Sequence, residues 1–238
     1  IIFSNQLFMS LSTTRLEVMT ELGRNMDNFV AQYLNPIDSN WQPSDMLPDS
    51  TKDNFFDEVK LLQEAAKELP YDYWAVLIGD TITEEALPTY ESWLMGMDTV
   101  NQQDQENSWV RWIRNWTAEE GRHGNLLGTY LYLSGKVDMH SVAVSTQYLI
   151  ADGFDIGTSG DPYRNFIYTS FQEMATNVSH RRTASLAKQH GNSLLSRMCA
   201  QIAADELRHA KAYKAFVTEI FKLDPSEMMI AFADMMKK

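Results

Sequence analysis

Disulfide bonding within this chain is excluded by its cysteine count, because Cys199 is the only thiol among 238 residues. A lone thiol fits a reducing compartment, and Cys199 reads as a small buried hydrophobe on a packed helix face. No apolar run approaches the roughly 18–20 residues that cross a bilayer, so the chain reads as soluble and not as an integral membrane protein. Positive charge is scarce: 20 Lys and Arg stand against 32 Asp and Glu, a formal charge of −12. That balance argues against nucleic acid as a partner, since phosphate binding needs a basic footprint. The chain begins Ile1-Ile2-Phe3, without an initiator Met or a readable leader, and is expected to start inside a longer precursor. No stretch shows a convincing strand alternation.

Helical periodicity is abundant instead. Leu16, Met19, Leu22, Met26, Phe29, Val30 and Tyr33 recur at helical spacing, which predicts one helix from Thr13 to Leu34, ended by Asn35-Pro36. Pro36 to Ser50, with Trp41, reads as a Pro-stiffened loop. Further helices are expected over 53–69 and 72–100. Pro88 cannot donate to the Glu84 carbonyl, so a kink or bulge is expected in the second of these. After a polar loop at 101–107, helices follow over 108–133 (capped by Ser108), 138–150, 163–189 and 193–223. A last amphipathic helix follows Asp224-Pro225. The fold class is all-α.

Two of these helices carry the same pattern. Glu120-Gly121-Arg122-His123 and Glu206-Leu207-Arg208-His209 are both Glu-x-x-His with Arg before the His. Each has a helix-borne Glu upstream, Glu84 and Glu173. Residues at i and i+3 share a helix face, so each Glu–His pair can reach one metal region. Two Glu-x-x-His pairs plus two single Glu residues on four helices form the inward ligand set of a dimetal carboxylate bundle. Carboxylates with imidazoles suit iron or manganese, with zinc possible. Four buried carboxylates would each be costly to desolvate, and two divalent ions cancel their charge. Without metal, at least one carboxyl is expected to stay protonated. The competing interpretation is two solvated Glu/Arg/His patches. Against it, the residues one turn away are Trp116, Leu127, Ile202 and Tyr213, as on a buried stripe. His140 and His190 are expected to be exposed, and His180 to be a buried structural histidine.

Longer stretches carry a resemblance: GDTITEEALPTY from Gly79, WTAEEGRHG from Trp116, YLYLSGKVD from Tyr130, FIYTSFQEMAT from Phe166 and IAADELRH from Ile202. With the Trp41–Asp49 loop and the ending AFADMM from Ala231, they resemble the soluble acyl-acyl carrier protein desaturases from about Trp41 onward. The resemblance implies one ferritin-like domain over 1–238, holding two Fe ions, in a homodimer. Carried over by position, Glu84 and His123 belong to one iron, Glu173 and His209 to the other, and Glu120 and Glu206 bridge. Glu85 and Glu119 are then neighbours, not ligands. Asp205 becomes the partner of His123, Trp41 an electron route, and Thr176 a hydroxyl beside the oxygen-binding face. The resemblance ties the His123 side alone to such a partner, giving the two halves different jobs.

The implied reaction uses O2 and two electrons from ferredoxin to insert a cis double bond into an acyl chain on acyl carrier protein. Both protein partners are acidic, so local basic patches are expected, with Lys52, Lys60 and Lys67 as candidates. Localisation is expected to be cytoplasmic for a bacterial source and plastid stroma for a plant or alga. Asp80 shares the face of Glu84, and Trp93, Gly96 and Met97 are expected along the substrate channel. Plant members commonly carry a less bulky residue at Trp93, which predicts a shortened channel here; simple packing against a neighbouring helix is the alternative. The 153–162 loop also departs from the plant pattern. Other ferritin-like oxidases or hydroxylases, a radical-bearing reductase subunit and a metal-storage protein stay open as alternatives.

Overall fold

Side-chain caps start the last five described helices of the chain. The computed structural model describes residues 13–100, 107–158 and 160–237. The chain folds into helices α1 (Thr13–Gly23), α2 (Met26–Tyr33), α3 (Phe55–Lys67), α4 (Tyr71–Glu85), α5 (Leu87–Met95), α6 (Ser108–Ser134), α7 (Met139–Asp152), α8 (Pro162–Gln189), α9 (Ser193–Leu223) and α10 (Pro225–Met235). Among the described residues there is no strand. The side chains of Asn107, Asp138, Asp161 and Asn192 accept backbone N–H groups at the starts of α6, α7, α8 and α9, satisfying donors that a helix start leaves unpaired. Gly135 ends α6 in the left-handed region at φ +64°, a conformation glycine adopts without penalty. Asp224 closes α9 and also caps α10.

Four helices make the bundle. α8 and α9 form a tight hairpin through His190–Asn192, α4 packs on α6, and the two pairs meet through α4 with α8 and α6 with α9. This is an all-α, ferritin-like arrangement. One apolar cluster lies at one end, around Trp109, Trp112, Phe166, Tyr213 and Phe216 with α1 and α2 over it. A second, around Leu77, Leu127, Tyr130, Leu195 and Ile202, lies at the other end. A polar centre sits between them. No described helix is long and apolar enough to cross a membrane.

Some boundaries differ from the sequence expectation. The helix predicted from Thr13 to Leu34 is two helices, broken after Gly23. Glycine is needed there because a Cβ would lie 2.7 Å from Ser108 Oγ. The helix predicted over 72–100 breaks completely at Ala86 and ends at Met95; Pro88 sits in the first turn of α5, where its missing N–H costs nothing. Asn107, not Ser108, caps α6. The polar loop expected at 101–107 lies, but for Asn107, outside the described residues. His140 is exposed, but His190 is half-buried in the α8–α9 turn.

Candidate metal centre

Glu84 stands in the last turn of α4. Glu120 and His123 lie mid-way along α6, Glu173 on α8, and Glu206 and His209 on α9. The approach of α6 to Glu84 depends on Gly124, where a Cβ would lie 3.0 Å from both the Glu84 carbonyl carbon and the Glu85 nitrogen. The six side chains converge in two overlapping groups, each compact enough for one ion: Glu84, Glu120, His123 and Glu206; and Glu120, Glu173, Glu206 and His209. Glu120 and Glu206 are common to both.

The imidazoles present Nδ1 inward. His123 Nδ1 lies 2.9 Å from Glu120, 3.0 Å from Glu206 and 3.6 Å from Glu84. His209 Nδ1 lies 2.5 Å from Glu120 and 3.6 Å from Glu173. Even so, both Nδ1 atoms, Glu120 Oε1, Glu173 Oε2 and Glu206 Oε1 are buried without a hydrogen-bond partner. Five converging buried lone-pair atoms left unsatisfied would be costly. Divalent cations satisfy all of them, so the donor set fits a pair of metal ions.

Ionisation within the cluster is strongly biased. Burial raises the Glu173 carboxyl well above its usual range, and Glu120 adds to the effect. Burial, then Glu120 and Glu84, raise Glu206. Burial works against ionisation of Glu120 too, but His123 and His209 hold it far below the ordinary carboxylate range. Burial alone would lower both histidines, yet Glu120 and their other carboxylate neighbours raise them. The cluster therefore retains protons, as crowded carboxylates do.

Outside the centre the two halves are alike. His123 Nε2 meets Asp205 at 3.3 Å, and His209 Nε2 meets Glu119 at 2.9 Å. Arg122 donates to Asp205 at 2.7 Å, and Arg208 donates to both Asp205 and Glu119. Glu119 also accepts the Asn35 backbone N–H. The expectation that only the His123 side has such a partner is corrected. The resemblance makes Glu119 only a neighbour of the ligands, yet the sequence carries the signal of its role. The repeat is five residues long: an acid, Glu, any residue, Arg, His, at 119–123 and again at 205–209. A carboxylate on the outer nitrogen fixes the tautomer and aim of a metal-binding imidazole.

The halves differ in what surrounds them. Trp41 Nε1 donates to Asp205 at 2.9 Å, and its ring stacks on His123 at 6.0 Å and 7°. Arg122 lies over the other part of this assembly, 4.2 Å from the Trp41 ring. Glu84 is held by His180 Nε2 at 2.8 Å, whereas Glu173 is held by Trp116 Nε1 at 3.2 Å. Thr176 donates its hydroxyl to Glu206.

A narrow cavity of about 60 Å³ runs from this centre between α4/α5 and α8. Thr83, Thr176, Glu84 and Glu206 lie at one end. At the other, the rings of Tyr90, Trp93, Phe154 and Tyr168 close it, with edge-to-face contacts of 5.1–5.2 Å between Phe154 and both Tyr90 and Trp93. Of the expected channel residues only Trp93 lines the cavity. Asp80 is turned to Ser179 and Thr183. Gly96 is exposed at the end of α5, and Met97 is buried in the adjacent apolar cluster.

The fold and the centre define a class: a helical bundle whose core offers two linked carboxylate–imidazole metal sites beside an apolar cavity. The family model for fatty acid desaturase matches residues 14–238, and the chain belongs to that family. It is 48% identical over 235 residues to the chloroplastic stearoyl-[acyl-carrier-protein] 9-desaturases of Gossypium hirsutum and Ricinus communis, covering 98% of this chain and 59% of each relative. It is also 48% identical over 236 residues to the chloroplastic palmitoyl-[acyl-carrier-protein] 4-desaturase 3 of Ophrys sphegodes, with the same coverage. The chain thus spans about three-fifths of the length of these relatives.

Proposed function

We propose that this protein is an O2-dependent di-iron desaturase that inserts a cis double bond into a saturated acyl chain carried on acyl carrier protein, using electrons from ferredoxin. The observation that carries this reading is the pair of overlapping four-residue groups at the mouth of an apolar cavity. The printed names of the relatives supply the substrate class. Glu84, Glu120, His123 and Glu206 would hold one iron, and Glu120, Glu173, Glu206 and His209 the other. When bound, the two irons supply, with O2, the oxidising power needed to remove hydrogen from unactivated methylenes.

The chain's own residues do the positioning. Leu87, Leu94 and the ring cluster surround the acyl tail and keep water from it. Trp116 and His180 fix the two unshared carboxylates. The Thr176 hydroxyl holds a proton at the cavity wall against Glu206. Trp41, Asp205 and His123 form a continuous contact from a half-buried indole to the centre, which supports Trp41 as the electron route. A single domain and a homodimer complete the proposal. The relatives' chloroplastic names support the plastid stroma for a plant or algal source.

The test is direct. Iron-loaded protein is expected to bind two irons per chain. With ferredoxin, reductant, O2 and acyl carrier proteins bearing 14-, 16- or 18-carbon chains, it should yield monounsaturated acids by mass spectrometry. No unsaturated product from any chain rejects the reading. Within the same assay, Trp93→Met should open the closed end and shift preference toward the longer chains. An unchanged chain-length profile would show that Trp93 only packs.

A further inference from the structure

The chain has 32 acidic residues, yet none lies between Glu173 and Asp205. That stretch is the second half of α8, the turn, and the first third of α9. It carries Arg181, Arg182, Lys188 and Arg197, all exposed. None of the four has an ion-pair partner among the described residues. Two of the cations expected from sequence to form a docking patch, Lys60 and Lys67, behave differently. On α3, Lys60 pairs with Asp57 at 3.5 Å and Lys67 pairs with Glu64, so that helix presents little net positive charge.

We propose that the α8–α9 hairpin face docks the acidic carrier protein that delivers the acyl chain, with Arg181, Arg182, Lys188 and Arg197 as its cationic contacts. This rests on the proposed desaturase activity for the partner's identity. The charge pattern supplies the first reason. On a chain of net charge −12, long-range repulsion opposes an acidic partner everywhere except where cations are clustered without acids, so an encounter is steered to this face. Leu186, 44% exposed between the cations, adds an apolar contact for an amphipathic acidic helix.

The cavity supplies the second reason and decides between two acidic partners. Its far end is shut by Trp93, Phe154 and Tyr168. An acyl chain whose tail ends against these rings would enter from the opposite end, where Thr83 and Thr176 line the cavity. α8 runs from the shut end, at Tyr168, past Thr176 to the arginines. Arg182 is six residues beyond Thr176, roughly 9 Å at 1.5 Å per residue. A carrier seated on this face holds its thioester arm beside the entrance. The electron donor instead belongs near Trp41, which contacts α6 and α9 through Arg122 and Asp205.

Arg181→Glu/Arg182→Glu, Lys188→Glu/Arg197→Glu and the control Lys60→Glu test this in the iron-loaded protein. The readouts are kcat and KM for palmitoyl and stearoyl carrier protein at two salt concentrations, and direct binding of fluorescently labelled carrier by anisotropy. The two reversals are expected to raise KM and Kd about tenfold or more at low salt, to leave kcat nearly unchanged and to flatten the salt dependence, while Lys60→Glu does little. Melting curves, and the neutral variant Arg181→Ala/Arg182→Ala with a smaller effect in the same direction, separate docking from misfolding. Unchanged carrier binding in both reversals overturns the proposal, as does a raised half-saturation for ferredoxin with carrier binding intact. If the wild type makes no product with any chain, the desaturase reading fails, and the anisotropy series still decides whether the carrier binds here.

Discussion

Alanine in place of Asp205 is expected to cost about 3–5 kcal/mol of stability, because it leaves the buried Arg122 charge without its carboxylate partner. Asp205 is 1% exposed and accepts hydrogen bonds from Trp41, Arg122 and Arg208. Without it, the Arg122 guanidinium, itself buried, keeps only backbone acceptors at Glu119 and Trp41. Glu119→Ala should cost less, about 1–3 kcal/mol, because Arg208 is a quarter exposed and keeps Asp205 while the Asn35 N–H loses its acceptor. Both changes also free the outer nitrogen of a histidine in the centre, so metal affinity should fall by roughly 10–100-fold. Denaturant titration of the metal-free variants and calorimetric metal titration of the folded ones separate the two effects. Because each acid holds the outer nitrogen of one histidine, the two variants should lose metal affinity alike while differing in stability. A metal-affinity loss confined to Asp205→Ala would contradict the matched roles given to them.

The second large effect is expected at a glycine. Gly124→Ala places a methyl 3.0 Å from two backbone atoms at the α4–α5 break. Backbone cannot rotate aside as a side chain does, so α6 and α4 must separate, at about 1–3 kcal/mol. The break carries Glu84, so separation also draws that carboxylate away from His123. The variant should therefore bind fewer than two metal ions per chain by elemental analysis while keeping its helical circular dichroism. Gly121→Ala, three residues earlier on the same helix, is the matched comparison. Its nearest neighbour for a Cβ is a Leu87 methyl at 3.9 Å, and it should stabilise the protein by roughly 0.5–1 kcal/mol through helix propensity. Equal behaviour of the two alanines would mean that helix proximity at Gly124 does not control the centre.

The centre was legible because its signals are local. Glu-x-x-His places two side chains on one helix face regardless of what surrounds it, and the repeat marks four of the six residues that the fold gathers, with Glu84 and Glu173 upstream of its two copies. What was missed depends on where helices stop. Counting along one continuous, kinked helix from Glu84 to Val100 puts Gly96 and Met97 on the cavity wall. The break at Ala86 and the end at Met95 rotate and truncate that face, so only Trp93 stays on it. The break between α1 and α2 falls where Gly23 packs closely on Ser108, 85 residues away in sequence, a contact that helical periodicity does not reveal. Phe154 joins the ring cluster from a loop with no periodicity to read. The pairing of Glu119 with His209 spans ninety residues, but the five-residue repeat encoded it.

The interruption at Ala86 has a consequence for how this scaffold can diversify. Glu84 ends one rigid rod and Tyr90 and Trp93 ride on the next, with a non-helical joint between them. Reshaping the floor of the pocket therefore need not strain the rod that carries the ligand. Cavity depth and the geometry of the centre become separately heritable traits: substitutions on α5 can reshape the ring-lined end while the six converging side chains are passed on unchanged.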